Sequence, residues 1–392
     1  MNREKKRTLA HFLMPAACLV FGISTLAMLS GFEPFYSSYY SLAWWSYIIF
    51  IESFLYCRGA RSLLFENPGK FLLLLPLSTT VWLVFEALNF RLSDWHYLNM
   101  PSDTVVRWTG YLVAYSTVLP GIFSTTALLE FTGVLKNSKA PPISDPQVLH
   151  SIHQEKPERI PRPARFMFGK EGFFAQAKKR ACPEPAEGRG CTEAYTGTAS
   201  RVGGRAVEIS AGGPTAYKPF VLTGILFLLL PLVWPEYFFP LVWLAFIFLL
   251  EPVNHKAGAP SLLREWEKGS PREFYLLLLA GAICGLLWEL WNFRAGSKWM
   301  YTVPHLGFLK IFEMPLLGFL GFPPFALECY AMTAAFFLLI SKIRGKYTPG
   351  RALFIYASLA ASMLLFDILV FWGIDRFTVI SFQNFSFIGV RP

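Results

Sequence analysis

A chain of 392 residues that is 54% hydrophobic, with 38 Phe and 12 Trp, has too little polar surface for an ordinary soluble domain. Its formal charge of +10 would suit a nucleic-acid ligand, but the Lys and Arg fall in short clusters between apolar runs. That is the pattern of a multi-pass membrane protein whose cytoplasmic loops collect basic residues, so membrane lipids are the expected surroundings and nucleic acid is not an expected partner.

A helix needs roughly 20 apolar residues to cross the hydrocarbon core. About nine segments approach that length: 9–30, 41–57, 71–90, 106–132, 218–233, 236–253, 272–293, 311–341 and 352–374. The expected class is therefore an all-α polytopic integral membrane protein. The first segment follows MNREKKR, which could also open a secretory signal, but the run is long and no A-x-A site follows it. With that basic start inside, CRGAR (57–61), the central loop, 254–272 and SKIRGKYTPGR (341–351) all become cytoplasmic and the C-terminus ends outside. This is the orientation expected in a bacterial cytoplasmic (inner) membrane.

Two stretches of the chain run parallel. ESFLYCRGARSLLFENPGKFLLLL (52–75) resembles EPVNHKAGAPSLLREWEKGSPREFYLLLL (251–279), and VFEALNFRLSDWHYLNMP (84–101) resembles LWELWNFRAGSKWMYTVP (287–304). Glu86 then corresponds to Glu289, Asn89 to Asn292, Arg91 to Arg294 and, after one inserted residue, Trp95 to Trp299 and Tyr97 to Tyr301. Four spans per copy make the repeat parallel, with a pseudo-two-fold axis along the membrane normal. The expected organisation is a first four-helix repeat over 1–135, a basic, Pro- and Gly-rich cytoplasmic linker or insertion over 136–217, and a second four-helix repeat over 218–341. The ninth helix and tail fill 342–392 and are expected to pack on the second copy.

Within the linker, 180–213 has the style of a translated repetitive DNA element, so Cys182 and Cys191 are expected to carry no function. His150 and His153 have H-x-x-H spacing but no further ligand residues nearby, and Cys18, Cys57, Cys284 and Cys329 form no C-x-x-C pair. No P-loop, C-x-x-C-H or H-E-x-x-H is present, so no metal or cofactor is expected.

Ionisable groups inside a membrane are costly and begin as functional candidates. Gly281, Gly285, Glu289 and Asn292 share one face of the seventh span, whose glycines admit a close neighbour. Topology gathers Glu86, Glu289, Glu313, Glu328 and Asp367 into the outer half, while Glu52, Glu130 and Glu251 lie toward the cytoplasm and should answer the basic loops. Pro315, Pro323 and Pro324 predict a short interfacial or re-entrant helix near 309–320 before the eighth span, with a weaker break at Pro120 and Gly121 in the first copy. The candidate catalytic acids are Glu289, Glu313 and Glu328. Asn292, Trp288, Trp299, Tyr301, Glu86 and Asn89 are the candidate binding residues for a lipophilic small molecule, aromatic faces steadying any cation that forms. Two other readings stand beside this one: a transporter or channel, and a non-catalytic subunit in which Glu289 pairs with arginine, Asn292 caps loop backbone, and Trp and Tyr form an interfacial belt.

The run W-E-x-x-N-F-R-x-G-x-x-W-x-Y over 288–301, with Pro315 downstream, resembles the lycopene-cyclase-domain proteins of carotenoid biosynthesis. The resemblance covers 284–320, with a shadow at 82–101. It implies an intramembrane isoprenoid substrate and acid-initiated cyclisation or hydration without a cofactor. After Pro315 this chain has Leu316, Leu317 and Gly318 where that family carries two acids, and Gly296 sits one residue further from Trp299 than its pattern prefers.

Overall fold

The computed structural model describes residues 2–138, 217–305, 307–384 and 389–390. The expected linker, with His150, His153, Cys182 and Cys191, lies outside them apart from its first and last few residues. The chain is an all-α membrane protein: among the described residues seven helical stretches are long and apolar enough to cross a bilayer. In the first half these are α1 (Arg3–Leu29), α4 (Pro68–Leu92) and the broken pair α5 (Thr104–Tyr115) and α6 (Val118–Thr132). The other two segments expected to span are helical too. They are α2 (Phe35–Cys57), diluted by Ser and Tyr, and α7 (Tyr217–Val233), which has only 17 residues. The second half continues through a short helix α8 (Pro235–Phe238) into α9 (Val242–Lys256), then α11 (Arg272–Phe293), α12 (Phe322–Lys346) and α13 (Pro349–Phe377).

Two short helices punctuate one end of the bundle, α3 (Leu63–Glu66) and α10 (Leu262–Glu267), and each is capped by a serine. Ser62 Oγ also donates to Glu52 Oε2 at 2.5 Å, and that oxygen accepts from Leu64 N at 3.1 Å. Ser261 Oγ donates likewise to Glu251 Oε2 at 2.8 Å, with Leu263 N at 3.3 Å. These carboxylates were expected to answer the basic loops. They meet the ends of those loops through the serine hydroxyls and N–H groups at the starts of α3 and α10, because a helix N-terminus brings four unsatisfied donors to that spot.

At the opposite end, β1 (Phe32–Glu33) pairs with β8 (Gly389–Val390), β2 (Trp95–Leu98) with β4 (Lys298–Tyr301), and β3 (Met100–Pro101) with β7 (Phe382–Gln383). Three connections are thus tied together by backbone ladders where helices emerge.

The buried core draws on both halves, and α11 packs on α12 within it. A Cβ on Gly281 would lie 2.5 Å from Phe322 O, and one on Gly285 would collide with the Phe322 ring, so the two glycines let the start of α12 lie on α11. Of the helix expected near 309–320, the first part is a tight hairpin of β5 (Lys310–Ile311) and β6 (Met314–Pro315) and the second a short 3₁₀ helix over Leu316–Gly321. Pro315 holds its backbone extended and disfavours helix at Met314, while Leu309 and Phe312 turn with positive φ. Pro323 and Pro324 occupy the first turn of α12, so they start that helix rather than break it. In the first half the break falls at Ser116–Thr117, just ahead of Pro120.

Helix α13 was expected beside the second copy but packs chiefly along α4. Thr80 Oγ1 donates to Asp367 Oδ2 at 3.1 Å, and Arg107 grips Asp375 with Nε at 2.7 Å and Nη2 at 2.6 Å. Trp108 and Tyr111 also donate to Asp375. Polar partners on α4 and α5, absent from a purely apolar helix face, select this side.

Candidate functional site

Helices α4 and α11 end in the same way. Asn89 Nδ2 donates to Trp95 O at 2.8 Å while its Oδ1 accepts from Asp94 N at 2.8 Å. Asn292 Nδ2 donates to Trp299 O at 2.8 Å and its Oδ1 accepts from Trp299 N at 2.9 Å. Each amide, fully buried, folds the outgoing chain back over the helix end and starts a strand there. The strands then meet: Trp95 lies opposite Tyr301, His96 opposite Met300, and Tyr97 opposite Trp299.

Behind this ribbon sit the two carboxyls, both wholly buried. Glu289 Oε1 accepts from Tyr301 OH at 2.7 Å, and Tyr301 OH accepts from Trp299 Nε1 at 2.8 Å. Glu86 accepts from Tyr97 OH, from Trp82 Nε1 at 2.8 Å and from Trp95 Nε1, while Tyr115 OH donates to Tyr97 OH at 3.0 Å. Burial, then the neighbouring carboxylate, push the phenols of Tyr97 and Tyr301 well above the usual tyrosine range, so both remain O–H donors. Neither glutamate meets arginine, because Arg294 turns outward over the Phe293 ring. The tryptophan and tyrosine side chains expected to form an interfacial belt point inward.

The two halves enclose a cavity of about 190 Å³ in front of these phenols. Its wall is rich in aromatic rings, with Trp82, Trp95 and Tyr97 from the first half and Trp288, Trp299 and Tyr301 from the second. Of the expected binding residues, Trp288, Trp299 and Tyr301 therefore line the space. Asn89, Asn292 and Glu86 stand behind it and hold the lining in place. Of the expected acids, Glu289 reaches the cavity through Tyr301. Glu313 pairs with Lys298 at 2.6 Å, and that lysine lines the cavity. Glu328 lies outside the lining, its Oε1 accepting from Phe246 N of α9 at 2.8 Å.

Among the lining residues that escaped the sequence reading are two charged ones. Arg107 is a basic residue inside an apolar span, a signal as strong as Glu289, and its guanidinium is taken up by the bidentate Asp375 pair together with Pro101 O and Ser102 O. Asp94 precedes Trp95 as Lys298 precedes Trp299, so a change of sign at equivalent positions was its visible mark. Asp94 is 3% exposed, and burial pushes its carboxyl up to about 7. Its Oδ1 has no hydrogen-bond partner among the described residues.

No family model, no characterised protein and no solved structure matches the chain. The site is therefore read from its own geometry.

Proposed function

We propose that this is a membrane-embedded protein that holds a lipophilic, isoprenoid-like molecule in the cavity between its two halves. The observation that carries the reading is the aromatic wall drawn from both halves, with phenol O–H groups backed by buried carboxyls at its edge. Apolar pockets with a few convergent polar groups are the usual form of small-molecule sites. Tyr301 and Glu289, joined by a 2.7 Å hydrogen bond, are the polar pair at the second-half wall, and Trp288 and Trp299 supply π faces for a developing cation. This extends the resemblance to the lycopene-cyclase-domain proteins, in which Glu289 and Tyr301 lie in the shared run while Leu316 and Leu317 take the place of that family's later acids.

The architecture belongs to the same proposal: nine spans, eight of them in two parallel copies about an axis through the His96–Met300 pair. Supporting it are the matched Glu52–Ser62–Leu64 and Glu251–Ser261–Leu263 clusters, and the matched Asn89 and Asn292 folds. The reciprocal pairing of Trp95 with Tyr301 and Tyr97 with Trp299 is what such an axis requires. The basic N-terminus shares an end with α3, as Lys6 Nζ donates to Phe65 O at 2.6 Å, which supports a cytoplasmic N-terminus. A bacterial inner membrane is the setting this implies.

Because five of the tryptophans line the cavity (Trp82, Trp95, Trp243, Trp288 and Trp299), intrinsic fluorescence tests occupancy directly. Titrating a conjugated polyene into the purified protein in maltoside micelles should quench emission saturably. A linear, unsaturable decrease equal to that of free tryptophan in the same micelles would refute the reading. Expression in a lycopene-accumulating bacterium then tests the chemistry, and an unchanged pigment profile would sink carotenoid cyclisation.

A further inference from the structure

Several buried carboxyl oxygens lack a hydrogen-bond partner among the described residues, including Glu251 Oε1, Glu289 Oε2, Glu328 Oε2 and Asp367 Oδ1. Of these residues and Asp94, only Asp94 lines the cavity. Its backbone is fixed on both sides, N–H donating to Asn89 Oδ1 at 2.8 Å and C=O accepting from Thr302 N at 2.8 Å. The carboxyl is therefore held in place by contacts that make no use of it, and among the described residues it enters no ion pair. An unpaired polar group at such a position costs about 1–3 kcal/mol.

The surroundings select the donor. Trp82, Trp95, Trp243 and Phe325 pack against one another in a closed cycle, with successive centroids 6.0, 6.2, 5.6 and 5.7 Å apart. All four line the same space as Asp94. Their π faces attract a desolvated cation and give nothing comparable to a hydroxyl, while Asp94 repels a carboxylate or phosphate. The cavity's own lysine does not compete, since Lys298 is neutralised by Glu313 at 2.6 Å.

We propose that Asp94 and these aromatic rings form a binding site for the protonated amine head of a lipophilic molecule, the ammonium N–H donating to the Asp94 carboxylate and the apolar body filling the cavity. The inference rests on the reading that the cavity holds a lipophilic molecule, and it specifies that molecule's head group.

The test uses the full chain in maltoside micelles, tryptophan fluorescence as readout, and three probes of equal chain length: dodecylamine, dodecanol and dodecanoate, at pH 8. The amine should bind at least tenfold more tightly than the alcohol, and the carboxylate more weakly than either. Asp94→Asn should bring amine affinity down to that of the alcohol. Trp243→Leu, which leaves the carboxyl in place, should lower the amine preference at least threefold and keeps the test open if Asp94→Asn does not fold. Equal binding of amine and alcohol, or an amine preference that survives Asp94→Asn, overturns the proposal while leaving the lipophilic cavity standing. No saturable response to any of the three probes overturns both.

Discussion

In the protein without added amphiphile, replacing Asp94 by asparagine should raise stability, and only at neutral to alkaline pH. Folding moves this carboxyl from 3.8 to about 7, because burial penalises its charged form. The folded state thus holds the proton more tightly than the unfolded state. The contribution is most favourable below about pH 4, is lost as pH climbs toward 7, and is level above that. The interval between 3.8 and about 7 corresponds to about 4 kcal/mol as an upper limit. Asparagine keeps the shape without the ionisation. Thermal unfolding of both proteins in the same neutral detergent should show coincident midpoints at pH 4 and a higher midpoint for the variant at pH 8, by several degrees. Acid effects from other carboxyls cancel in the difference. A difference that is the same at both pH values, or a variant that melts lower at pH 8, would refute the reasoning.

Other perturbations probe the frame around the site. Arg107→Ala leaves Asp375 without its bidentate partner and should cost about 3 kcal/mol or more in detergent unfolding; Asp375→Asn, which retains hydrogen-bonding capacity, should cost less. Asn89→Ala and Asn292→Ala each remove the side chain that folds a strand over a helix end, so each should cost about 1–3 kcal/mol. Because β2 and β4 are one ribbon, the double variant should fall short of the sum. Gly281→Ala sets a methyl against the backbone of α12 and should destabilise by about 1–3 kcal/mol, with no loss if α11 and α12 do not touch there.

Helices were the most legible part of the chain, since a run of apolar residues long enough to cross a bilayer has few other uses. The ends of α4 and α11 were legible too, because Glu, Asn, Trp and Tyr recur there at nearly the same spacing, and both ends close with the same amide-to-backbone bonds. Strands of two residues, such as β5 and β6, are too short to leave a periodicity, so the hairpin before α12 looked helical. The seat of α13 was hidden because an almost wholly apolar helix shows no preferred face; Asp367 and Asp375 were the marks that α4 and α5 would claim it. Asp94 was passed over because an acid in a loop is ordinarily solvated, and only the two halves together bury it.

The β2–β4 ribbon also has a consequence for how the molecule is made. Residues 95–98 enter the membrane region long before residues 298–301 exist, so during synthesis the first strand waits with an open edge and Glu86 lies behind a half-built wall. Completion of the site is therefore a late event, coupled to arrival of the second half. Two separately produced fragments, cut anywhere between residues 138 and 217, should find each other through this edge and recover the tryptophan emission of the intact chain.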